Sequence, residues 1–113
     1  MRMWNVPPKV LCRQHLLGEH LEMHMFAGAI KKGTSLQGFI TGGLVMTGRI
    51  KERHDELVAE MVRRGMNHKS PMNKQPRIAE AGYVSYQASI AELSKRCPAC
   101  RKNIVAYQYD KMG

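Results

Sequence analysis

Residues Gln14–His24 read QHLLGEHLEMH, and the fold turns on whether this run is a helix. Around it, Val10, Leu17, Leu21, Met25 and Gly28 follow one another at spacings of seven, four, four and three, the recurrence of a single helical face. Pro7 and Pro8 forbid a helix through Val6, and Gly33 just beyond Lys31 and Lys32 is a usual exit. The spacing therefore predicts a long helix from Lys9 to Lys31 with that apolar stripe in the core. Cys12, His15, Glu19, Glu22 and Phe26 project within about 80 degrees of one another, a second and more polar stripe beside the first. Taken alone, such a stripe is as well explained by contact with water as by chemistry.

Gly33 to Gly48 is glycine-rich and reads as a loop with a turn of structure. From Arg49 to Arg64, Ile50, Leu57, Val58, Met61 and Val62 keep the helical period, and Gly65 follows two arginines as a C-terminal cap. Asn67–Arg77, NHKSPMNKQPR, is polar and broken by Pro71 and Pro76, which predicts an irregular basic loop facing a ligand. A shorter helix is expected from Ser85 or Gln87 to Lys95, with Ile90 and Leu93 inward. In the tail that follows, residues 96–113, KNIVAYQY reads as a strand or a packed coil. Little of the chain alternates with period two. The expectation is an all-α single domain, 1–113, of about three helices with long irregular loops and a C-terminal tail.

Eighteen Lys and Arg against nine Asp and Glu give a formal charge of +9 and an isoelectric point near 9.8. Such self-repulsion is costly unless a polyanion is the neighbour, which makes nucleic acid the leading partner class. There is no 18-residue apolar run and no apolar stretch in MRMWNVPPKV, so the expectation is a soluble, cytoplasmic protein without a membrane partner. Three cysteines, an odd number, argue against a secreted disulfide framework.

Two metal readings arise from the residues. His20 and His24 are one turn apart and share a face, yet the order HLEMH sets Glu22 nearly opposite them, unlike the HExxH of zinc hydrolases. CPAC, with Cys97 and Cys100, has the spacing of half a zinc knuckle, and Cys12 with His15 forms a second pair. A structural Cys3His zinc tying the tail to the first helix is one reading, and free thiols in a reducing compartment the other.

MRMWNVPPKVLCRQHLLGEHLEMH and RHDELVAEMVRRGMNHKSPM resemble the two most recognisable blocks of the pyrimidine-dimer DNA glycosylase family, the endonuclease V type known from phage. GYVSYQASIAE, Gly82–Glu92, is similar to a third block. The segments cover about half of the chain, in the family's order. The resemblance implies a small helical fold whose catalysis needs no cofactor. It implies an N-terminal α-amine at Met1 as nucleophile and Glu22 as the catalytic carboxylate, with Arg2, Gln14 and His15 matching neighbouring site residues. Leu21 and Met25 stand where the phage enzyme has arginines that contact DNA; His20, His24, Arg49, Lys69 and Arg96 would supply charge instead. Tyr107 and Tyr109, with Lys111, weakly resemble the aromatic, basic tail of that enzyme.

The chemistry suits these groups on general grounds. An α-amine ordinarily titrates at about 7.7–8.0, so a useful fraction is a free nucleophile near neutral pH, whereas a lysine near 10.4 needs strong tuning. Arg2 is too large for methionine removal, so Met1 is expected to be retained. The leading expectation is a repair glycosylase with abasic-site lyase activity, acting as a monomer on double-stranded DNA with damaged or abasic sites, in a bacterial or phage-infected cell. The alternatives are a non-catalytic DNA-binding relative of the same fold and an unrelated nucleic-acid binder built on a zinc tail.

Overall fold

A computed structural model describes residues 1–112. It places five α-helices among them and no strand: α1 Arg13–Lys31, α2 Gln37–Thr41, α3 Ile50–Arg63, α4 Tyr86–Arg96 and α5 Pro98–Met112. All-α holds, but the expected count of about three was too low. The turn in the glycine-rich loop is α2, and the tail is neither strand nor coil but α5.

The tail is helical for a local reason. Cys97 precedes Pro98, which suits a first helical turn because its missing N–H has no partner to lose there. Cys100, Ile104 and Tyr107 then follow at i, i+4 and i+7, giving one stripe that packs on the core, while Val105 is 60% exposed. The stripe begins at Cys100, outside KNIVAYQY, the run expected to form a strand or a packed coil.

In α1, Cys12 caps the N-terminus by accepting the His15 amide, and Pro8–Val10 forms a separate 3-10 turn, so the helix begins four residues later than expected. Its buried face also differs from the expected one. Leu16, Glu19, Met23 and Phe26 are buried, whereas Leu21 and Met25, assigned to the core stripe, are 59% and 50% exposed. The burial is rotated onto the stripe that carries Glu19 because α3 supplies a counter-charge. Arg53 donates from Nε to Glu19 Oε2 at 2.6 Å and from Nη2 to Glu19 Oε1 at 3.0 Å, with both residues 1% exposed. A buried carboxylate is tolerated when it is paired in this bidentate way.

The N-terminal segment is threaded through this core. Met3, Trp4, Val6, Val10 and Leu11 are all buried; the Met3 amide donates to Leu44 O at 2.7 Å and the Trp4 amide to Glu19 Oε2 at 3.0 Å. Arg53 Nη1 donates to Val6 O at 2.8 Å. One buried ion pair thus fixes where the chain's first residues lie relative to α1.

α3 keeps its expected boundaries within a residue and ends at Gly65, whose φ of 78° is the left-handed cap a glycine provides. α4 starts at Ser85, whose hydroxyl accepts the Ala88 amide, with Leu93 fully buried. Between α3 and α4 the irregular segment is stitched down at Thr47. The Thr47 hydroxyl donates to Ala79 O at 2.7 Å and accepts the Ala81 amide at 2.8 Å. Gly82, φ 89°, allows backbone to pass where a Cβ would lie 2.2 Å from Val45 O. Among the described residues no helix is long and apolar enough to cross a membrane.

Candidate functional site

Because Glu19 anchors the segment at Trp4, residues 1 and 2 are delivered one helical turn further along α1, to Glu22. The Arg2 amide donates to Glu22 Oε1 at 2.5 Å, and the Met1 α-amine lies 3.9 Å from the same oxygen. The Glu22 side chain is 29% exposed, reachable by a ligand and yet oriented by a backbone donor.

The Arg2 side chain is ordered by a ring, a hydroxyl and, at 3.4 Å from Nε, the Met3 carbonyl. Its guanidinium lies 3.7 Å over the centre of the Trp4 ring and donates to Ser89 Oγ at 2.8 Å. Burial holds its pKa below the ordinary arginine value, against the raising influence of Glu19. Arg96, on the last turn of α4, is near enough to act on Arg2 electrostatically and is itself paired with Glu92 at 2.9 Å. A pocket of about 210 Å³ opens beside this cluster, lined by Trp4, Gln14, His15, Gly18, Glu19 and Glu22. Gly18 lies beside Glu22, and a Cβ there would make an ordinary contact with Glu22 Oε2 at 3.8 Å.

Met1, Arg2, Gln14, His15, Glu22 and Arg96 thus gather around one place. Lys69 is exposed on the irregular loop. His20 points elsewhere, since it and Glu22 are about 200 degrees apart around α1. Arg49 is held by Glu52, Glu56 and Asn5, so its charge is answered within the protein. Tyr107 is half-buried with Lys9 and Lys111 over its ring, and Tyr109 is exposed. Sequence reasoning missed Trp4, which stacks on Arg2, and Ser89, which orients it.

His15 also belongs to a neighbouring cluster. Cys12, His15, Cys97 and Cys100 each offer one donor atom, all within 4.8 Å of one another. Cys12 and Cys97 lie 3.9 Å apart at their sulfurs, and His15 Nδ1 is 3.2 Å from Cys12 Sγ and 3.5 Å from Cys100 Sγ. A tetrahedral zinc with ordinary bond lengths requires about 3.8 Å between sulfurs and about 3.6 Å from sulfur to nitrogen. The donors therefore fit the ion. Backbone amides already point at the sulfurs, Cys12 N to Cys100 at 3.2 Å and Cys100 N to Cys97 at 3.4 Å. Without a metal, burial pushes the Cys100 thiol up to about 12. For Cys97, burial is outweighed by hydrogen bonds led by the Cys100 amide, and its pKa is lowered.

Compared with known proteins, residues 1–74 match a family model described as pyrimidine dimer DNA glycosylase. No curated protein and no solved structure matches the chain.

Proposed function

The chain belongs to the pyrimidine dimer DNA glycosylase family, and from that membership we propose that it releases a damaged base from duplex DNA and nicks the strand at the abasic site. In this reading the Met1 α-amine is the nucleophile and Glu22 the carboxylate beside it. The supporting observation is the Met1–Glu22 approach of 3.9 Å, on an oxygen oriented by the Arg2 amide.

The amine attacks C1′ of the sugar; the glycosidic bond breaks, and its electron pair leaves with the base, which takes up a proton. Glu22 stabilises the cationic sugar and moves protons as the ring opens to an imine at C1′. Loss of a proton from C2′ then expels the 3′ phosphate, and water returns the free amine. The base must leave the stack first, at a cost of a few kcal/mol that is smallest at damaged or mismatched positions. Arg2, Gln14, His15 and Arg96 surround the reacting atoms, and Lys69 adds charge on the loop.

Borohydride reduction of the protein with an abasic-site duplex tests this: the imine gives a stable covalent adduct. Binding without any adduct would support the second reading, a non-catalytic DNA-binding relative. That reading is favoured by the exposed, uncharged Leu21 and Met25 on the helix that carries Glu22. A zinc ion at the thiol cluster would fasten α5 to the start of α1 and orient His15. Cys97→Ser is expected to lower the zinc content of protein purified without chelator by one equivalent; unchanged content rejects the site.

A further inference from the structure

On the side of α1 away from Glu22, four imidazoles converge from three parts of the chain. His20 and His24 come from successive turns of α1, His54 from α3 and His68 from the irregular segment after it. One nitrogen from each lies within 4.8 Å of all the others. His20 Nε2 and His68 Nε2 are 3.0 Å apart, and the ring centres of His24 and His54 are 4.7 Å apart.

His54 has two acceptors and one proton to share between them. This ring is 1% exposed; its Nδ1 lies 2.9 Å from Asp55 Oδ1 and its Nε2 3.1 Å from Ser70 O. Both neighbours are acceptors, whereas a neutral imidazole carries one proton. His24 Nε2 approaches the same Ser70 carbonyl at 2.9 Å. Satisfying His54 with protons alone requires an imidazolium among three other imidazoles. With the single proton on Nδ1, donated to Asp55, Nε2 keeps a lone pair that the Ser70 carbonyl, itself an acceptor, cannot satisfy. A carboxylate behind Nδ1, with Nε2 left to find a positive partner, is the arrangement that orients histidine ligands on metals.

We propose that His20, His24, His54 and His68 bind a divalent first-row transition metal ion, Zn²⁺ being the ion that suits four closed imidazole donors. A tetrahedral ion with bonds of about 2.0–2.1 Å needs nitrogens about 3.4 Å apart. The present 3.0 Å pair and the 4.8 Å limit bracket that spacing, so small side-chain adjustments close the site. The donor set lacks the several oxygens that magnesium and calcium require, and imidazole favours zinc, copper, nickel or iron. With four protein ligands the site is structural. It pins the Asn67–Met72 stretch to α1 and α3, and it lies on the other side of α1 from the reacting sugar of the proposed chemistry, on which it does not depend.

The test uses the full chain, freed of metal by chelator and reloaded with ¹¹³Cd²⁺. The expected result is a resonance at the position of all-nitrogen ligation, distinct from any thiolate-rich resonance of the cysteine cluster. With Zn²⁺, the double variant His24→Ala/His68→Ala is expected to bind one equivalent fewer than the parent. With Co²⁺ it is expected to keep whatever sulfur-to-metal charge-transfer band the parent shows. No all-nitrogen resonance in the parent overturns the proposal even if the variant fails to fold, and so does unchanged zinc stoichiometry in a folded variant.

Discussion

Glu19 and Glu22 stand one turn apart on α1 and both receive backbone amides of the first four residues, yet they are in opposite conditions. Glu19 is 1% exposed and has both oxygens engaged, by Arg53 and by the Trp4 amide. Glu22 is part-exposed and, among the described residues, takes one amide and faces one amine. A carboxylate saturated by fixed donors holds structure together. One left with accepting capacity beside an amine is available to a cation that forms during a reaction. The two are linked, because the Glu19–Trp4 bond delivers Met1 and Arg2 to Glu22.

The largest expected effect separates them by stability. Glu19→Ala leaves Arg53 buried without its partner and should lose about 3–5 kcal/mol in denaturant unfolding. Replacing the pair together with apolar residues of similar volume should restore only part of that, because the Trp4 amide and the Val6 carbonyl then lose their partners. A Glu19→Ala protein that unfolds like the parent breaks the comparison. Glu22→Gln keeps the acceptor for the Arg2 amide, so its stability should stay within about 0.5 kcal/mol of the parent. Base release on a lesion-bearing duplex should fall on the order of a hundredfold, or about 2.7 kcal/mol of transition-state stabilisation. Full activity from Glu22→Gln would return that residue to a merely solvated role.

A smaller effect sharpens the contrast with the far side of α1. Burial, then the like charges of His54, His24 and His68, lowers the pKa of His20 to about 4. The unfolded chain takes up this proton near pH 6.5 and the folded chain only near 4. Below pH 6.5 the unfolded state binds more protons, so metal-free protein should be fully stabilised by His20 above that pH and lose stability as pH falls toward 4. Melting temperatures across that range should slope less steeply in His20→Asn. An equal slope assigns the loss to other groups. The smallest effect expected is at Lys69, exposed on the loop. Lys69→Gln should reduce the log–log salt slope of binding to undamaged duplex by about one, without altering stability. A slope unchanged from the parent removes Lys69 from the DNA-facing surface.

The elements with local punctuation were legible in the sequence. Gly65 ends α3 and Ser85 begins α4 as their residue types require. What escaped depended on partners distant in the chain. Glu19 marked a wet face of α1 until Arg53, 34 residues away, neutralised it, and the burial turned with it. Leu21 and Met25, apolar and in period, are exposed for the same reason. In α5 the stripe begins at Cys100, inside the run read as a metal half-site, so KNIVAYQY alone shows too little of it to mark a helix. At the site, Met1, Arg2 and Glu22 came from the family resemblance, and the structure brings them together. Trp4 and Ser89 had no signal short of the folded packing. Two of the four clustered histidines were noticed as a pair on α1. The other two, in RHDE and MNHK, are single residues whose only distinction is where the fold puts them.

The position of the covalent link tests the pairing of Met1 with Glu22 most directly. The protein is reduced with borohydride on an abasic-site duplex, the DNA is digested, and the adduct is mapped by peptide mass spectrometry. With Met1 as the nucleophile, a sugar remnant is expected on its α-amine, and no adduct when residues are added before Met1, with DNA binding retained. An adduct on a lysine, or undiminished trapping by the extended chain, would contradict it.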